Sequence, residues 1–124
     1  MTKAIPILRI FDYAKAIEFY VNWPGFHIDW AHQPAATPLY MQVSLGSITL
    51  HLSEHHGDSS PGARVFIEGF QELYNFHEKL TDKAYRYNRP GLEVPFYDPA
   101  ALEMTVTDPF SNRLTFVERK VSLP

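Results

Sequence analysis

The 124-residue chain contains no cysteine, which excludes a disulfide framework, a thiolate zinc site and a cysteine nucleophile. It also lacks any apolar run near the roughly 18 to 20 residues that a membrane-crossing helix needs. Its opening residues, Met1-Thr2-Lys3-Ala4-Ile5-Pro6, do not carry the apolar core of a secretion signal. Basic residues are in deficit, with 11 Lys and Arg against 14 Asp and Glu and a net charge of −3, and they are scattered along the chain. A nucleic-acid partner requires a basic patch to release counterions, so this balance argues for no nucleic acid among the partners, as the lack of an apolar run argues for no membrane. Glycines number six, and none forms the Gly-x-Gly-x-x-Gly run that cradles a phosphate ahead of a helix. No Gly-x-Ser-x-Gly elbow is present either, which leaves a serine hydrolase without its nucleophile turn. The expectation is a soluble, unprocessed, cytoplasmic protein.

What is present is enough apolar material for a core: 45% of residues are hydrophobic and 15% aromatic. Two stretches have helical spacing. Asp12 to Trp23 places apolar residues at Tyr13, Ile17 and Tyr20 behind an N-cap at Asp12, and Gln71 to Lys83 places them at Leu73, Phe76 and Leu80. Seven stretches alternate with a period of two: Ala4 to Ile10, Phe26 to Ala31, Leu39 to Leu45, Ser47 to Ser53, Ala63 to Glu68, Leu102 to Thr107 and Arg113 to Glu118. Tyr85 to Tyr87 is a candidate eighth strand. Gly46-Ser47 reads as a tight hairpin turn and Asp108 to Asn112 as a longer one.

The order is β-α-β-β-β, twice over, so the chain reads as one α+β domain, residues 1–124, made of half-domains at about 1–58 and 59–124. Alternation then divides each strand between two faces. Met41, Val43, Leu50, Leu52, Met104, Val106, Leu114 and Phe116 share the face toward the helices. Tyr40, Gln42, Ser44, His51, Ser53, Arg64, Phe66, Glu68, Glu103, Thr105, Thr115 and Val117 share the other, whose mixture of aromatic, hydroxyl and charged groups suits a cup that binds a ligand. Tyr13, Phe19, Tyr20, Leu73, Phe76 and Leu80 are read as core.

Ile5-Pro6-Ile7-Leu8, Asp12 to Tyr20 (DYAKAIEFY), Gly25-Phe26, Ile48-Thr49-Leu50, Glu72-Leu73-Tyr74 and Thr107-Asp108-Pro109 with Asn112 resemble the glyoxalase/bleomycin-resistance, or vicinal oxygen chelate, superfamily, in its bleomycin-resistance-like branch. The resemblance runs from Ala4 to Glu118. It implies two βαβββ half-domains forming a cup-shaped mixed sheet, and a homodimer with Ile5, Pro6 and Ile7 near its interface. It implies a small-molecule ligand, a planar and cationic antibiotic of the bleomycin type, sequestered without catalysis in a homodimer cleft. Two stacking positions of that branch fall on Trp30 and Tyr40; two others fall on Arg64 and near Pro99 or Ala100, with Phe96 and Tyr97 as replacements for the last. Together with Gln42, His51, Phe66 and Glu103, these form the candidate ligand set.

The superfamily's four metal-ligand positions correspond to Ile5, His51, Gly62 or Ala63, and Thr115. His51 alone carries a ligating side chain, so no catalytic residue, metal or cofactor is expected. The run His51, Glu54, His55 and His56 is read as one cup-lining histidine followed by loop residues. The alternatives are a metal-dependent glyoxalase, dioxygenase or lyase of the same superfamily, and a dimer whose cleft is vestigial.

Overall fold

The computed structural model describes residues 2–35 and 38–119. The described chain divides into two compact units: one runs as far as Ala63 and includes Asp108–Asn112, the other comprises Arg64–Thr107 and resumes at Arg113.

In the first unit the order is β1 (Ile7–Arg9), α1 (Tyr13–Ala16), a π-helical extension (Ile17–Asn22), β2 (His27–His32), β3 (Tyr40–Leu45) and β4 (Ile48–Ser53). These strands form a four-stranded mixed sheet in the order β1-β4-β3-β2, with β1 parallel to β4 and the remaining pairs antiparallel. In the second unit the order is β5 (Arg64–Glu68), α2 (Leu73–Asp82), β6 (Leu92–Glu93), β7 (Ala101–Thr107) and β8 (Arg113–Arg119). Its sheet has the order β5-β8-β7-β6, again with one parallel pair, β5 with β8. The second order is the first with four added to each strand, so the repeat inferred from the element sequence is present in the topology.

Local chemistry explains the ends of these elements. Asp12 has extended backbone and its side chain accepts from Lys15 N at 3.0 Å, capping α1 as its position suggests. The helix stops where Gly25 takes φ of 94° and Phe26 N donates to Tyr20 O at 2.9 Å, a reversal that glycine makes without steric cost. Its buried stripe is Ala16, Phe19, Tyr20 and Trp23. Tyr13, in the first turn, is 44% exposed rather than part of the core. At the second helix, Glu72 sits in the left-handed region at φ 60° with no cap of its own. The cap comes from β8, where Glu118 accepts from Glu72 N at 3.1 Å and Leu73 N at 3.0 Å. Phe76 is half-buried and meets Phe70 and Phe116 at 4.9 and 5.4 Å between ring centroids.

The hairpin at Gly46-Ser47 closes with Leu45 opposite Ile48 and Gly46 at φ 59°. The eighth strand is Leu92–Glu93 and not Tyr85 to Tyr87. Pro90 and Pro95 confine it to two residues at the sheet edge, where missing N–H groups cost least. In β3 and β4, Met41, Val43, Leu50 and Leu52 are buried as alternation requires. In β8 the register is regular but burial does not alternate: Leu114 to Val117 are all buried, so Thr115 and Val117 are enclosed on the face they share with Phe66 and Thr105. Among the described helices, none is long and apolar enough to cross a membrane.

The turn at Asp108–Asn112 is held by a buried polar hub. Asp108 Oδ2 accepts from Tyr20 Oη at 2.6 Å and from Asn112 Nδ2 at 2.8 Å; Oδ1 accepts from Phe110 N and Asn112 N, both at 2.8 Å. Asn112 in turn donates to Arg9 O at 2.8 Å and accepts from Ala63 N at 3.1 Å. The motif Thr107-Asp108-Pro109 with Asn112 is therefore a fastening within the first unit. Burial raises the Asp108 carboxyl above its ordinary 3.8 against the opposing effect of these bonds, and burial followed by Asp108 raises the Tyr20 phenol well above 10.

Candidate functional site

The first sheet carries a set of side chains on the face away from its apolar core. Trp30 stands opposite Gln42, and His32 opposite Tyr40, across the β2–β3 pair; Gln42 stands opposite His51 across β3–β4. Trp30 and Tyr40 are stacked, with centroids 5.9 Å apart and planes inclined by 10°. His51 meets both rings edge-on, at 5.3 and 5.2 Å. His55, from the following loop, lies 6.3 Å from Tyr40. Trp30 keeps 43% of its surface exposed, while Tyr40, Gln42 and His51 are half-buried beside it.

A chain of hydrogen bonds runs behind this aromatic pair. Tyr40 Oη is 2.7 Å from His51 Nδ1, His51 Nε2 is 2.9 Å from Gln42 Oε1, and Gln42 Nε2 donates to Asp29 Oδ2 at 3.0 Å. Asp29 Oδ1 accepts from Ser44 Oγ at 2.9 Å and lies 3.1 Å from His27 Nδ1. Bonds from Gln42, His27 and Ser44 hold the Asp29 carboxyl below its ordinary 3.8. Desolvation holds His51 below 6.5 and, with the nearby Asp58 charge as the lesser cause, keeps the Tyr40 phenol above 10.

Asp29 stands outside the expected ligand set, and a β-bulge brings Trp30 onto the same face as it. His27 pairs with Ser44 and Ile28 with Val43, but the next pair is Trp30 with Gln42. Asp29 is the extra residue, and the slip lets it and Trp30 share one face. Glu54 is likewise engaged away from any metal, since its Oε1 accepts from Leu39 N at 2.9 Å. Ser53, placed on the displayed face by alternation, is buried; it donates to Asp58 at 2.7 Å and accepts from His55 N at 3.0 Å, ordering the loop.

The remaining candidates lie in the second unit. Arg64 and Phe66 are exposed on β5. Arg64 donates to Thr115 Oγ1 at 3.3 Å, and Thr115 is 2.9 Å from Thr105. Tyr97 donates to Glu103 Oε2 at 2.8 Å, and Phe96 projects fully exposed with its ring edge-on to Tyr97 at 5.7 Å. Arg119 bridges Glu68 at 3.1 Å and Asp98 at 2.6 Å, which spends both carboxylates. Of the expected interface residues, Ile5 and Pro6 are half-buried, and Ile7 lies on edge strand β1 opposite His51. A cavity of about 420 Å³ beside α2 is lined by His77, Leu80, Thr81, Asn88, Arg89 and Pro90. Two of its polar groups are spent on backbone, His77 on Pro90 O at 2.8 Å and Asn88 on Thr107 O at 2.6 Å. We assign the candidate site to the Trp30 and Tyr40 face instead, where exposed ring area and a continuous, half-buried polar chain occur together.

The donor set does not suit a metal of the superfamily type. Ile5 and Thr115 offer no imidazole or carboxylate, and both ring nitrogens of His51 are already hydrogen-bonded. Among the described residues, no three His, Asp or Glu side chains converge in a way that could hold an ion.

The paired βαβββ units with their mixed sheets define the class: an α+β protein of the architecture shared by bleomycin-resistance proteins. A family match described as glyoxalase superfamily protein covers residues 1–122, and the chain belongs to that superfamily. A bleomycin-binding protein solved with bleomycin is 17% identical, with a TM-score of 0.73 over 97% of this chain and all of that one. A bleomycin resistance determinant encoded on transposon Tn5 is 16% identical, with a TM-score of 0.74 over 98% of this chain and 100% of its own. An antibiotic-binding protein from a Streptomyces species is 19% identical, with a TM-score of 0.68 over 96% of this chain and 98% of that one. No curated protein sequence matches the chain.

Proposed function

We propose that this protein binds and sequesters a planar, cationic antibiotic of the bleomycin type, without catalysis, in a cleft of a homodimer. The observation that carries the reading is the stacked pair Trp30 and Tyr40, its rings parallel and Trp30 nearly half exposed beside a continuous, half-buried hydrogen-bond chain. A flat ring placed on such a surface gains about 0.5 to 1.5 kcal/mol beyond the area it buries. The ionised Asp29 and the net charge of −3 favour a cation over an anion. The arrangement favours binding over turnover, because Gln42 separates His51 from Asp29 and an amide holds an orientation without relaying a proton.

Titration with metal-free bleomycin tests this, followed in parallel by heat and by tryptophan fluorescence. The chain has two tryptophans, and Trp23 is buried, so quenching reports on Trp30. Both signals should saturate together, and Trp30→Ala should abolish the quenching and weaken binding by about 2- to 12-fold. Neither heat nor quenching at about 100 μM ligand, well short of the millimolar range where affinity reaches only about −4 kcal/mol, would remove bleomycin as the ligand.

A further inference from the structure

The hydrogen-bond chain behind Trp30 has a direction that can be read from its one fixed end. A carboxylate only accepts, so the group of Gln42 that faces Asp29 at 3.0 Å must be its amide nitrogen. The amide oxygen then faces His51 Nε2 at 2.9 Å, and that nitrogen must carry the proton. A neutral imidazole with Nε2 protonated has a bare Nδ1, which accepts the Tyr40 hydroxyl proton at 2.7 Å. The phenol proton of Tyr40 is thereby committed inward. The oxygen is left with only lone pairs for anything that approaches from outside. The other end of the chain has the same polarity: Asp29 keeps 26% of its side chain exposed and offers nothing but acceptor sites.

We infer that the Trp30 and Tyr40 face is an acceptor site, selecting flat ligands that bring an N–H, O–H or cationic nitrogen to Tyr40 Oη and the Asp29 carboxylate, with Gln42 the positioning residue that sets this polarity through His51. The inference rests on the reading of this face as a ligand site and adds the chemistry by which it discriminates. It also accounts for the bulge in β2, since a regular strand does not turn Asp29 and Trp30 to the same side.

Two measurements test it on the full chain. The first needs no ligand: nitrogen-15 spectra of the histidine rings at pH 7.5, with His51 assigned by its loss in His51→Gln. The expected signature is a protonated Nε2 and a bare Nδ1; the opposite tautomer or an imidazolium overturns the inference. Gln42→Met should mix the two tautomers, whereas a purely space-filling role for Gln42 would change thermal stability and leave the tautomer alone. The second compares 9-aminoacridine, a flat cation with N–H donors, with acridine-9-carboxylate, a flat anion without them. The cation should bind about tenfold tighter or more. Tyr40→Phe, which leaves the net charge unchanged, should narrow that gap, as should Asp29→Asn. Equal affinity for the two acridines sinks the acceptor polarity while sparing the ligand site. Binding of neither sinks the ligand site and the inference with it.

Discussion

Replacing Tyr20 by Phe removes one oxygen from the most densely bonded polar cluster in the first unit. Tyr20 is fully buried and donates to Asp108 Oδ2 at 2.6 Å. The carboxylate keeps three other donors, Phe110 N, Asn112 N and Asn112 Nδ2, so it is weakened rather than orphaned. A hydrogen bond to a charged group contributes about 1.5 to 3 kcal/mol, and the surviving donors place the expected loss at the lower end, about 1.5 to 2 kcal/mol at pH 7. With a urea dependence of about 1 to 3 kcal/mol per molar, the midpoint should fall by about 1 M.

Two controls make that number diagnostic. In an Asp108→Ala background the phenol has lost its acceptor, so Tyr20→Phe should then cost about 0.5 kcal/mol or less, and the cycle should show a coupling of 1 kcal/mol or more by order of magnitude. The penalty should also shrink at pH 4. Burial raises the folded Asp108 carboxyl above 3.8, so native protein binds its proton more readily than unfolded chain. That contribution is present below pH 3.8 and is lost as pH rises through the folded value. Removing Tyr20 Oη, which lowers that value, therefore hurts most where Asp108 is ionised. Additivity within about 0.3 kcal/mol, or an equal penalty at both pH values, would refute the hub as a coupled unit.

Glu118→Ala removes the acceptor for Glu72 N and Leu73 N and should cost about 0.5 to 2 kcal/mol in urea unfolding, with Glu118→Gln recovering part of it. Binding of 9-aminoacridine should weaken as pH falls below 6.5. Desolvation holds His51 below that value, so the neutral ring contributes stability present above pH 6.5 and lost as pH falls through the folded value. Once charged, Nδ1 donates to Tyr40 and turns the phenol proton outward. The groups facing this switch are Tyr40 and Gln42 on β3, Trp30 on β2 with Asp29 and His27 behind it, and His55 from the loop, so His51→Gln is the control. A profile unchanged in His51→Gln would assign the pH dependence elsewhere.

Much of the fold is legible because it depends on local spacing. Alternation in β3 and β4 sorts Met41, Val43, Leu50 and Leu52 from Tyr40, Gln42 and His51, and the buried set agrees. Asp12 caps α1 because a short acceptor before an apolar period does so in almost any context. Properties that depend on distant residues are not legible. Asp108 and Tyr20 are 88 positions apart, and only the folded chain shows why the motif around Asp108 pairs with a helix tyrosine. The same holds for Glu118, which caps a helix some 45 residues earlier. In β8, a central strand, the faces alternate as spacing requires, with Thr115 opposite Phe66 and Thr105 and Val117 opposite Glu68 and Glu103, but spacing does not reveal that both are buried.

The site itself turns on a single residue that no periodicity reveals. Strict alternation from Phe26 to Ala31 puts Phe26, Ile28 and Trp30 on one side and His27 and Asp29 on the other. Since Phe26 is buried and Ile28 pairs with core-facing Val43, that rule would bury Trp30 and leave Asp29 on the displayed face. A bulge is a property of two strands together, two residues opposite one, so β2 read by itself cannot announce it. Its consequence is chemical: the slip brings an aromatic ring and a carboxylate to the same face. The carboxylate then fixes Gln42, Gln42 fixes the proton on His51, and His51 fixes the hydroxyl of Tyr40. One inserted residue in an edge strand thus sets which partners the opposite end of the chain can accept.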